Sequence, residues 1–384
     1  MMGRFSPRGL AALKGTLQSH IDRGRIPGAV VVLACAGQVE MFEALGMQDP
    51  QAGTPMKSDA IFRIYSMTKP LVSLLALMLA DEGAVALGDP VSRYLPEFAD
   101  LRVAIEEGGR IARTEPVRRE MTAHDLLRHT SGLTYEFLGS NAVQRAYEAA
   151  NINDRSLTNM AFCKVLATLP LQDQPGSCWQ YGRATDVLGA VVEVASGRTL
   201  GRLLSDRIFE PLGMRDTAFA VPRQDWARLA EPFAIDPDSG EAVNMLDARE
   251  VPACESGGGG LMSTAADYLR FLQLMHNRGS FGGLRLASRK TIEWMTSDHL
   301  GDIGAKGELL LPGYGFGLGF AVRTHAGLAP QPGSVGQYFW SGIGGTSFFV
   351  DPTEDIFAML LTQAPHQRIF FRNLFRHLVY AALD

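Results

Sequence analysis

Cysteine and histidine are scarce in this sequence, and their positions exclude the usual metal sites. The cysteines are Cys35, Cys163, Cys178 and Cys254, whose spacings fit no metal pattern and include no Cys-x-x-Cys pair. The chain has eight histidines and no His-Glu-x-x-His segment, so we expect neither a zinc hydrolase nor any other metal or cofactor. Cys35 and Cys163 lie in apolar stretches, where we expect buried thiols that suit a reducing compartment.

Long apolar runs and basic surfaces are also missing. No run of about 18 apolar residues occurs, so we expect no membrane span, and residues 1–25 lack the apolar core of a signal peptide. The formal net charge is −5, which does not favour nucleic acid as a partner. The cytoplasm is therefore the expected location, and nothing in the sequence indicates an oligomeric state.

Strand patterns occur near both ends of the chain, and helix patterns fill its middle. Residues 28–46 predict a β-hairpin, and later strands are predicted over 315–322, 337–342, 346–352 and 355–362. Helices are predicted over 8–23, 66–82, 121–133, 184–197, 265–278 and 370–383. The simplest arrangement is an α/β fold of the α+β type, whose antiparallel sheet is formed from both chain ends and flanked by helices. We expect residues 1–84 and 255–384 to form this sheet domain, residues 85–254 to form a mostly helical inserted domain, and the active site to lie between them.

The first candidate for catalysis is the segment Ser66-Met67-Thr68-Lys69 at the start of a predicted helix. A serine and a lysine three residues apart on a helix face the same side, and a helix N-terminus favours negative charge. Because the helix is apolar nearly all round, burial should lower the pKa of Lys69 and let it act as a base toward the Ser66 hydroxyl. The pattern alone is weak, since a surface lysine beside a capping serine would look the same.

A second candidate is Tyr181, which follows a Pro175-Gly176 turn and precedes a predicted helix. A phenol near a lysine can be pushed toward phenolate and can carry protons. Taken alone, a packed aromatic side chain is the simpler interpretation of Tyr181.

A third candidate is the segment Trp340-Ser341-Gly342-Ile343 on a predicted strand. Gly342 would permit the close approach of a ligand. If the strand lies at a sheet edge, the backbone N–H after Gly342 could complete an oxyanion hole with the N–H of Ser66.

In their order and spacing, these segments resemble the serine β-lactamase and penicillin-recognising superfamily. The closest resemblance is to family VIII carboxylesterases, which are related to class C β-lactamases. It extends over nearly the whole chain and rests on FRIYSMTKP, MTAHDLLRHTSGL, YGRATDVLGAVVE, PLGMRDTAF, GGGGLMSTAADYLRF and WSGIGGTSFFVDP. MTAHDLLRHTSGL is the most specific of these strings.

This resemblance implies a serine hydrolase that cleaves carboxylic esters, with short-chain acyl groups as the expected substrates, through an acyl-Ser66 intermediate. Ser66 would be the nucleophile, Lys69 its partner, and Tyr181 the general base or proton shuttle. The N–H groups of Ser66 and Ile343 would bind the oxyanion.

Other residues gain expected roles from the same resemblance. Tyr135 would line the acyl pocket. Asp186, which lies one turn into the helix after Tyr181, would support the catalytic residues without touching the substrate. His124 and His129 would be structural rather than catalytic.

Two positions depart from the class C β-lactamase pattern. Gly182 and Arg183 stand where those enzymes have a small residue and an asparagine, and Trp340 stands where they have a lysine. An aromatic wall in place of a point charge suits an uncharged ester, although Arg183 could still offer charge to a substrate carboxylate. A β-lactamase or D-amino-acid peptidase of the same fold remains an alternative, as does a non-catalytic β-lactam-binding protein. The chain has no Gly-x-Ser-x-Gly segment, which disfavours an α/β-hydrolase.

Overall fold

The computed structural model describes residues 5–384, so residues 1–4 of the predicted segment 1–84 lie outside the described residues. The α-helices of the described chain are α1 (Pro7–Asp22), α2 (Thr68–Asp81), α3 (Ala123–Leu127), α4 (Ala142–Ala149), α5 (Asn159–Ala167), α6 (Ala184–Ser196), α7 (Leu200–Leu204), α8 (Glu210–Leu212), α9 (Ala265–His276), α10 (Arg289–Met295) and α11 (Arg368–Ala381). Its strands are β1 (Gly28–Cys35), β2 (Gln38–Asp49), β3 (Thr54–Pro55), β4 (Ile61–Arg63), β5 (Arg102–Glu107), β6 (Arg110–Pro116), β7 (Met262–Thr264), β8 (Ser280–Phe281), β9 (Leu284–Arg285), β10 (Tyr314–Phe316), β11 (Ala321–Arg323), β12 (Tyr338–Ser341), β13 (Ser347–Asp351) and β14 (Ile356–Leu361).

An eight-stranded antiparallel sheet is the centre of the fold, with the strand order β10-β11-β12-β13-β14-β1-β2-β3. The early strand β1 pairs with the late strand β14 on one side and with β2 on the other. Every residue of β1 and β14 is buried, as expected for strands that are covered on both faces. The predicted fold class, with one sheet built from both chain ends, is confirmed.

Helices cover the two faces of this sheet. On β13, Phe348 packs against Tyr268 of α9, and Phe349 stacks on Tyr380 of α11. Because neighbouring residues of a strand point to opposite faces, α9 and α11 lie on opposite sides of the sheet. Helix α1 packs beside α11.

The middle of the chain is mostly helical, with α2, α3 and α5 in contact with α6. It also contains a hairpin that the helix patterns did not predict, formed by β5 and β6. Gly108 and Gly109 form its turn with φ values of 59° and 73°, which residues without a Cβ adopt easily. Most of its side chains are partly or fully exposed and many are charged, which obscures the alternating pattern of a strand.

Two predicted elements were wrong in extent. The helix expected over 121–133 is limited to α3, and His129 lies beyond it with a left-handed φ of 57°. The single strand expected over 315–322 is a hairpin of β10 and β11 that turns at Gly319, whose φ is 101°. The helices α1, α6, α9 and α11 and the strands β12 to β14 lie within a few residues of their predicted positions.

Cys35 and Cys163 are buried, as predicted. Among residues 5–384, no helix has both the length and the apolar character needed to cross a bilayer. The same residues include no cluster of three or more His, Cys, Asp or Glu side chains that could hold a metal ion.

Candidate active site

Ser66 lies in the tight turn that leads into α2. Tyr65–Met67 form one turn of 3-10 helix, and α2 begins at Thr68, two residues later than the predicted helix start. Tyr65 has a φ of 44°, a conformation that is costly for a residue with a side chain, and its hydroxyl accepts a hydrogen bond from the backbone N–H of Leu246. This turn places Ser66 at a helix N-terminus, where negative charge is stabilised.

Lys69 is fully buried in the first turn of α2. Its Nζ donates to the carbonyl oxygen of Gly258 at 2.6 Å and to the hydroxyl of Tyr135 at 2.9 Å. The Ser66 Oγ lies 3.3 Å from the same nitrogen. The predicted pairing of Ser66 with Lys69 is therefore present in the structure.

The surroundings of Lys69 make its amine a usable base. Burial lowers the pKa of Lys69 to about 7, with an opposing effect from the negative charge of Asp186 and a further lowering from Arg183. Above that pH most of the amine is neutral and can accept a proton from the Ser66 hydroxyl.

Tyr181 lies on the loop before α6, and its hydroxyl is hydrogen-bonded to Ser66. Burial raises the pKa of Tyr181, and hydrogen bonds with Ser66 and Trp340 lower it only in part. The Trp340 indole N–H is the donor to the Tyr181 hydroxyl, at 3.3 Å. The Lys69 amine lies over the Tyr181 ring, 4.5 Å from its centre, rather than against its oxygen. The expected push toward phenolate is therefore wrong, because Tyr181 is held as a neutral phenol.

Tyr135 has a second role that sequence reasoning missed. Its ring lines the cavity above Ser66, as expected, but its hydroxyl also accepts the hydrogen bond from Lys69. Burial raises the pKa of Tyr135 well above its ordinary value, so this hydroxyl is neutral too. No spacing in the sequence indicates the contact, since Tyr135 and Lys69 come from separate elements.

Arg183 borders the cavity, where its charge is already paired with two carboxylates. Its guanidinium donates to the Glu136 carboxylate at 2.6 Å and lies 3.6 Å from an oxygen of Asp186. Both partners are buried, and the planar group lies over the Tyr135 ring at 4.9 Å. Although Arg183 borders the cavity, two carboxylates already balance its charge.

Asp186 supports Lys69 through the backbone of a glycine-rich turn. One carboxylate oxygen accepts hydrogen bonds from the Gly258 N–H at 2.9 Å and from the Ser256 hydroxyl at 2.5 Å. The carbonyl of the same Gly258 accepts from Lys69. A Cβ at Gly258 would lie 2.6 Å from Asp186 and 2.8 Å from the Tyr135 hydroxyl, so a side chain there would displace one of these groups.

The third predicted segment lies at the end of β12. This strand is not at the sheet edge, since it pairs with both β11 and β13, but in the described sheet only Tyr338 and Phe339 pair with β11. Gly342 lines the cavity and also makes a close backbone contact, because a Cβ there would lie 2.5 Å from the Ile64 carbonyl oxygen. The contact brings Ile343, which lines the cavity, close to the segment that carries Ser66.

His129 and His124 are placed as structural residues. His129 is fully buried with its ring 4.8 Å from that of Tyr181, and burial lowers its pKa well below the ordinary value. His124 shares a hydrogen bond of 3.0 Å with His299.

A cavity of about 930 Å³ opens above Ser66. Near Tyr135 and Arg183 its wall is mainly apolar and includes Phe137, Leu138, Ile152, Phe162, Pro252 and Cys254. The wall also includes Leu309, Leu311, Phe339, Trp340, Arg368, Ile369 and Arg372. The cavity is therefore large enough for a substrate with groups on both sides of the reacting carbon.

The chain is similar to known proteins over nearly its whole length. Residues 13–381 match the sequence model of the beta-lactamase family. Esterase EstB from Burkholderia gladioli is 35% identical over 93% of this chain and 91% of its own length. Lovastatin esterase from Penicillium rubens is 33% identical over 74% of this chain and 72% of its own. The solved structure of EstCE1, a hydrolase with promiscuous acyltransferase activity, is 30% identical, with a TM-score of 0.82 over 97% of this chain and 99% of that one.

Proposed function

Because the chain belongs to the β-lactamase family, we propose that it is a carboxylesterase of the family VIII type with Ser66 as its nucleophile. The observation that carries this proposal is the position of the Ser66 hydroxyl, 3.3 Å from a buried amine whose pKa is about 7. A neutral amine at that distance activates a hydroxyl, and the names of esterase EstB and lovastatin esterase support an ester as substrate.

The first half of the reaction forms an acyl-enzyme. Ser66 Oγ attacks the ester carbonyl as the Lys69 amine accepts its proton. The oxyanion is bound by the N–H groups of Ser66 and Ile343, which is supported by the close approach of Gly342 to Ile64, two residues before Ser66. The C–O bond then breaks as the Tyr181 hydroxyl donates its proton to the departing alcohol oxygen, and the proton held by Lys69 restores that hydroxyl once the two groups come within hydrogen-bond distance.

The second half reverses these proton movements. Water attacks the acyl-Ser66 carbonyl while Tyr181 and Lys69 take up its proton. Collapse of the tetrahedral species returns a proton to Ser66 Oγ and releases the carboxylic acid. Tyr181 acts here as a neutral proton carrier, and Lys69 acts as the base.

The cavity walls support an uncharged acyl group. Tyr135 and Phe137 stack with ring centres 4.7 Å apart and form an aromatic wall, which supports an uncharged acyl group, with short-chain acyl groups as the proposed substrates. Trp340 places an aromatic ring where β-lactamases carry a lysine, so a β-lactam carboxylate lacks that partner. The cytoplasm is the proposed location, supported by the buried positions of Cys35 and Cys163.

The test compares substrates and traps the intermediate. We expect p-nitrophenyl butyrate to be hydrolysed with a far higher kcat/KM than nitrocefin or a D-Ala-D-Ala peptide. Intact mass spectrometry after rapid quenching should show an acyl adduct that maps to Ser66 and is absent from Ser66→Ala. Faster turnover of either amide would favour a lactamase or peptidase, and a β-lactam adduct without turnover of any substrate would favour a binding protein.

Ser66→Ala should also lower kcat by about a thousandfold or more, the scale of other nucleophile deletions. A Ser66→Ala protein that retains nearly full activity would overturn the assignment of the nucleophile.

A further inference from the structure

Helix α11 carries three arginines in a row, one turn apart. Arg368, Arg372 and Arg376 follow each other at intervals of four, so they share one face of the helix. No carboxylate in residues 5–384 forms an ion pair with any of them, although buried or half-buried arginines are usually paired. This face therefore holds positive charge that the described chain does not neutralise.

The third arginine has a structural explanation. Arg376 lies 4.2 Å from the centre of the Phe339 ring and donates to the Tyr314 hydroxyl at 2.9 Å. Aromatic faces stabilise a guanidinium held in this way. Arg376 does not line the cavity.

The other two arginines line the active-site cavity. Arg372 donates to the Ser341 hydroxyl at 2.8 Å, and Arg368 donates to the Pro365 carbonyl at 2.6 Å. Both side chains are half-buried, so they border the open cavity and remain accessible to a ligand. Neutral oxygen acceptors satisfy one N–H of each group and leave their charge uncompensated.

The charge balance of the cavity singles out this pair. Among the other cationic residues of its wall, Arg183 is paired with Glu136 and Asp186, and Arg155 lies 3.2 Å from Glu250. Glu308 and Asp154 also line the cavity, and neither forms an ion pair with the α11 arginines.

The positive charges of neighbouring arginines on α11 repel each other. Burial, followed by the positive charges of Arg376 and Arg368, lowers the pKa of Arg372 to about 10. A bound anion would relieve this repulsion and make charge-assisted hydrogen bonds with both guanidinium groups.

The position of the pair relates it to the leaving group. Ser341, which binds Arg372, follows Trp340, whose indole N–H contacts the Tyr181 hydroxyl. Tyr181 is the group that hands a proton to the departing alcohol in the proposed reaction. Arg372 therefore contacts the end of the strand that carries Trp340, the hydrogen-bond partner of the proposed proton carrier.

We propose that Arg368 and Arg372 form a subsite for a carboxylate carried by the alcohol portion of the substrate ester. This proposal rests on the proposed esterase function and adds a substrate class to it: esters of hydroxy acids. It also replaces the expected role of Arg183, whose charge is already balanced.

The test uses two butyrate esters of the same shape, one of 4-hydroxybenzoic acid and one of 4-hydroxybenzamide. Only the first carries a carboxylate, so the ratio of their kcat/KM values reports recognition of charge. We expect Arg372→Met and Arg368→Met each to lower this ratio about tenfold or more, the worth of a hydrogen bond to a charged group, through a higher KM for the acid. Arg372→Lys should retain part of the preference because it keeps the charge. An unchanged ratio in both methionine variants would overturn the proposal.

Two controls are needed. One excludes a general effect of removing an arginine, and the other tests which side of the ester carries the recognised carboxylate. Arg118→Met removes an exposed arginine outside the cavity and should leave the ratio as in the wild type. The hemisuccinate ester of 4-hydroxybenzamide places the carboxylate on the acyl side. If its kcat/KM falls in the variants and that of the 4-hydroxybenzoate ester does not, the alcohol-side assignment is wrong.

A binding measurement distinguishes failure of the subsite from failure of the esterase proposal. Calorimetry on the Ser66→Ala protein should show 4-hydroxybenzoate binding more tightly than 4-hydroxybenzamide, with the difference lost when Arg372→Met is added. If the wild type hydrolyses neither ester, the esterase function fails while this binding result still tests the subsite. Equal binding of the two compounds would contradict the subsite.

Discussion

The amine of Lys69 donates a hydrogen bond of 2.9 Å to the hydroxyl of Tyr135, a shorter contact than its 3.3 Å separation from Ser66. The Tyr181 hydroxyl, by contrast, contacts Ser66 and Trp340. The two buried phenols therefore make different contacts around the Lys69 amine. In the proposed reaction, Tyr135 holds the base, and Tyr181 carries a proton between the nucleophile and the leaving group.

This division predicts different consequences for the two hydroxyls. We expect Tyr181→Phe to lower kcat by about 10²–10⁴-fold, the usual contribution of a group that transfers a proton. Tyr135→Phe should lower kcat only about tenfold, the worth of one hydrogen bond to a charged group. Because Tyr135 accepts from the protonated amine, its loss should also lower the pKa of Lys69 and move the acid limb of the pH profile to lower pH. Steady-state kinetics of both variants across pH checks these expectations, and equal losses without a shift would contradict them.

The pH dependence of the wild type follows from Lys69. Its pKa of about 7 means that the amine is protonated, and useless as a base, below that pH. We expect kcat/KM to fall about tenfold for each pH unit below about 7. Asp186→Asn removes the negative charge that raises the pKa of Lys69, so the acid limb should move to lower pH. Asp236→Asn is the matched control, since this buried aspartate also accepts backbone hydrogen bonds but lies outside the cavity. A limb that stays in place or moves upward in Asp186→Asn would contradict the role of Lys69.

The glycine-rich turn allows a sharper test of how Lys69 is held. In Gly258→Ala the new Cβ would clash with Asp186 and the Tyr135 hydroxyl, at 2.6 and 2.8 Å. We expect this variant to lose about 10²-fold in kcat/KM, as when a small displacement disturbs a catalytic geometry. At the neighbouring Gly259 the nearest atoms would lie 3.7 Å or more away, so Gly259→Ala should keep the acid limb of the wild type. Equal pH profiles and rates for the two variants would show that the Gly258 turn does not position the amine.

Local patterns in the sequence were sufficient for most of the fold and for part of the site. The apolar helix α2 and the turn before it are short-range features, and they place Ser66 beside Lys69 because residues three apart share a helix face. The strands β1 and β14 are apolar and buried throughout, which agrees with the predicted sheet flanked by helices. The hairpin of β5 and β6 was missed although Gly108-Gly109 is a recognised turn signal, because its exposed, charged side chains hide the strand pattern.

The tertiary contacts that set the position and charge of the site residues could not be predicted from the sequence. Tyr135 meets Lys69, and Glu136 meets Arg183, through loops whose paths depend on the whole tertiary structure. The sequence shows that Arg183 is charged, but only the structure shows that two carboxylates already balance that charge. In the same way, no local sequence pattern marks Arg372 as a candidate binding residue. It becomes one because it lines the cavity and has no carboxylate partner among the described residues.

The ion pair of Arg183 with Glu136 provides the last prediction, which concerns stability. The two side chains are only 9% and 5% exposed, so breaking the pair leaves a charge buried without its partner. We expect Arg183→Met to lower the free energy of unfolding by about 3–5 kcal/mol, whereas the double variant Arg183→Met/Glu136→Leu should recover part of that loss because no orphan charge remains. Urea unfolding of the wild type, both single variants and the double variant gives the coupling energy from a double-mutant cycle. If Arg183 were instead a substrate-binding residue with charge to spare, Arg183→Met would keep its stability and lose only activity toward acidic esters. That outcome would assign the carboxylate subsite to Arg183 rather than to the arginines of α11.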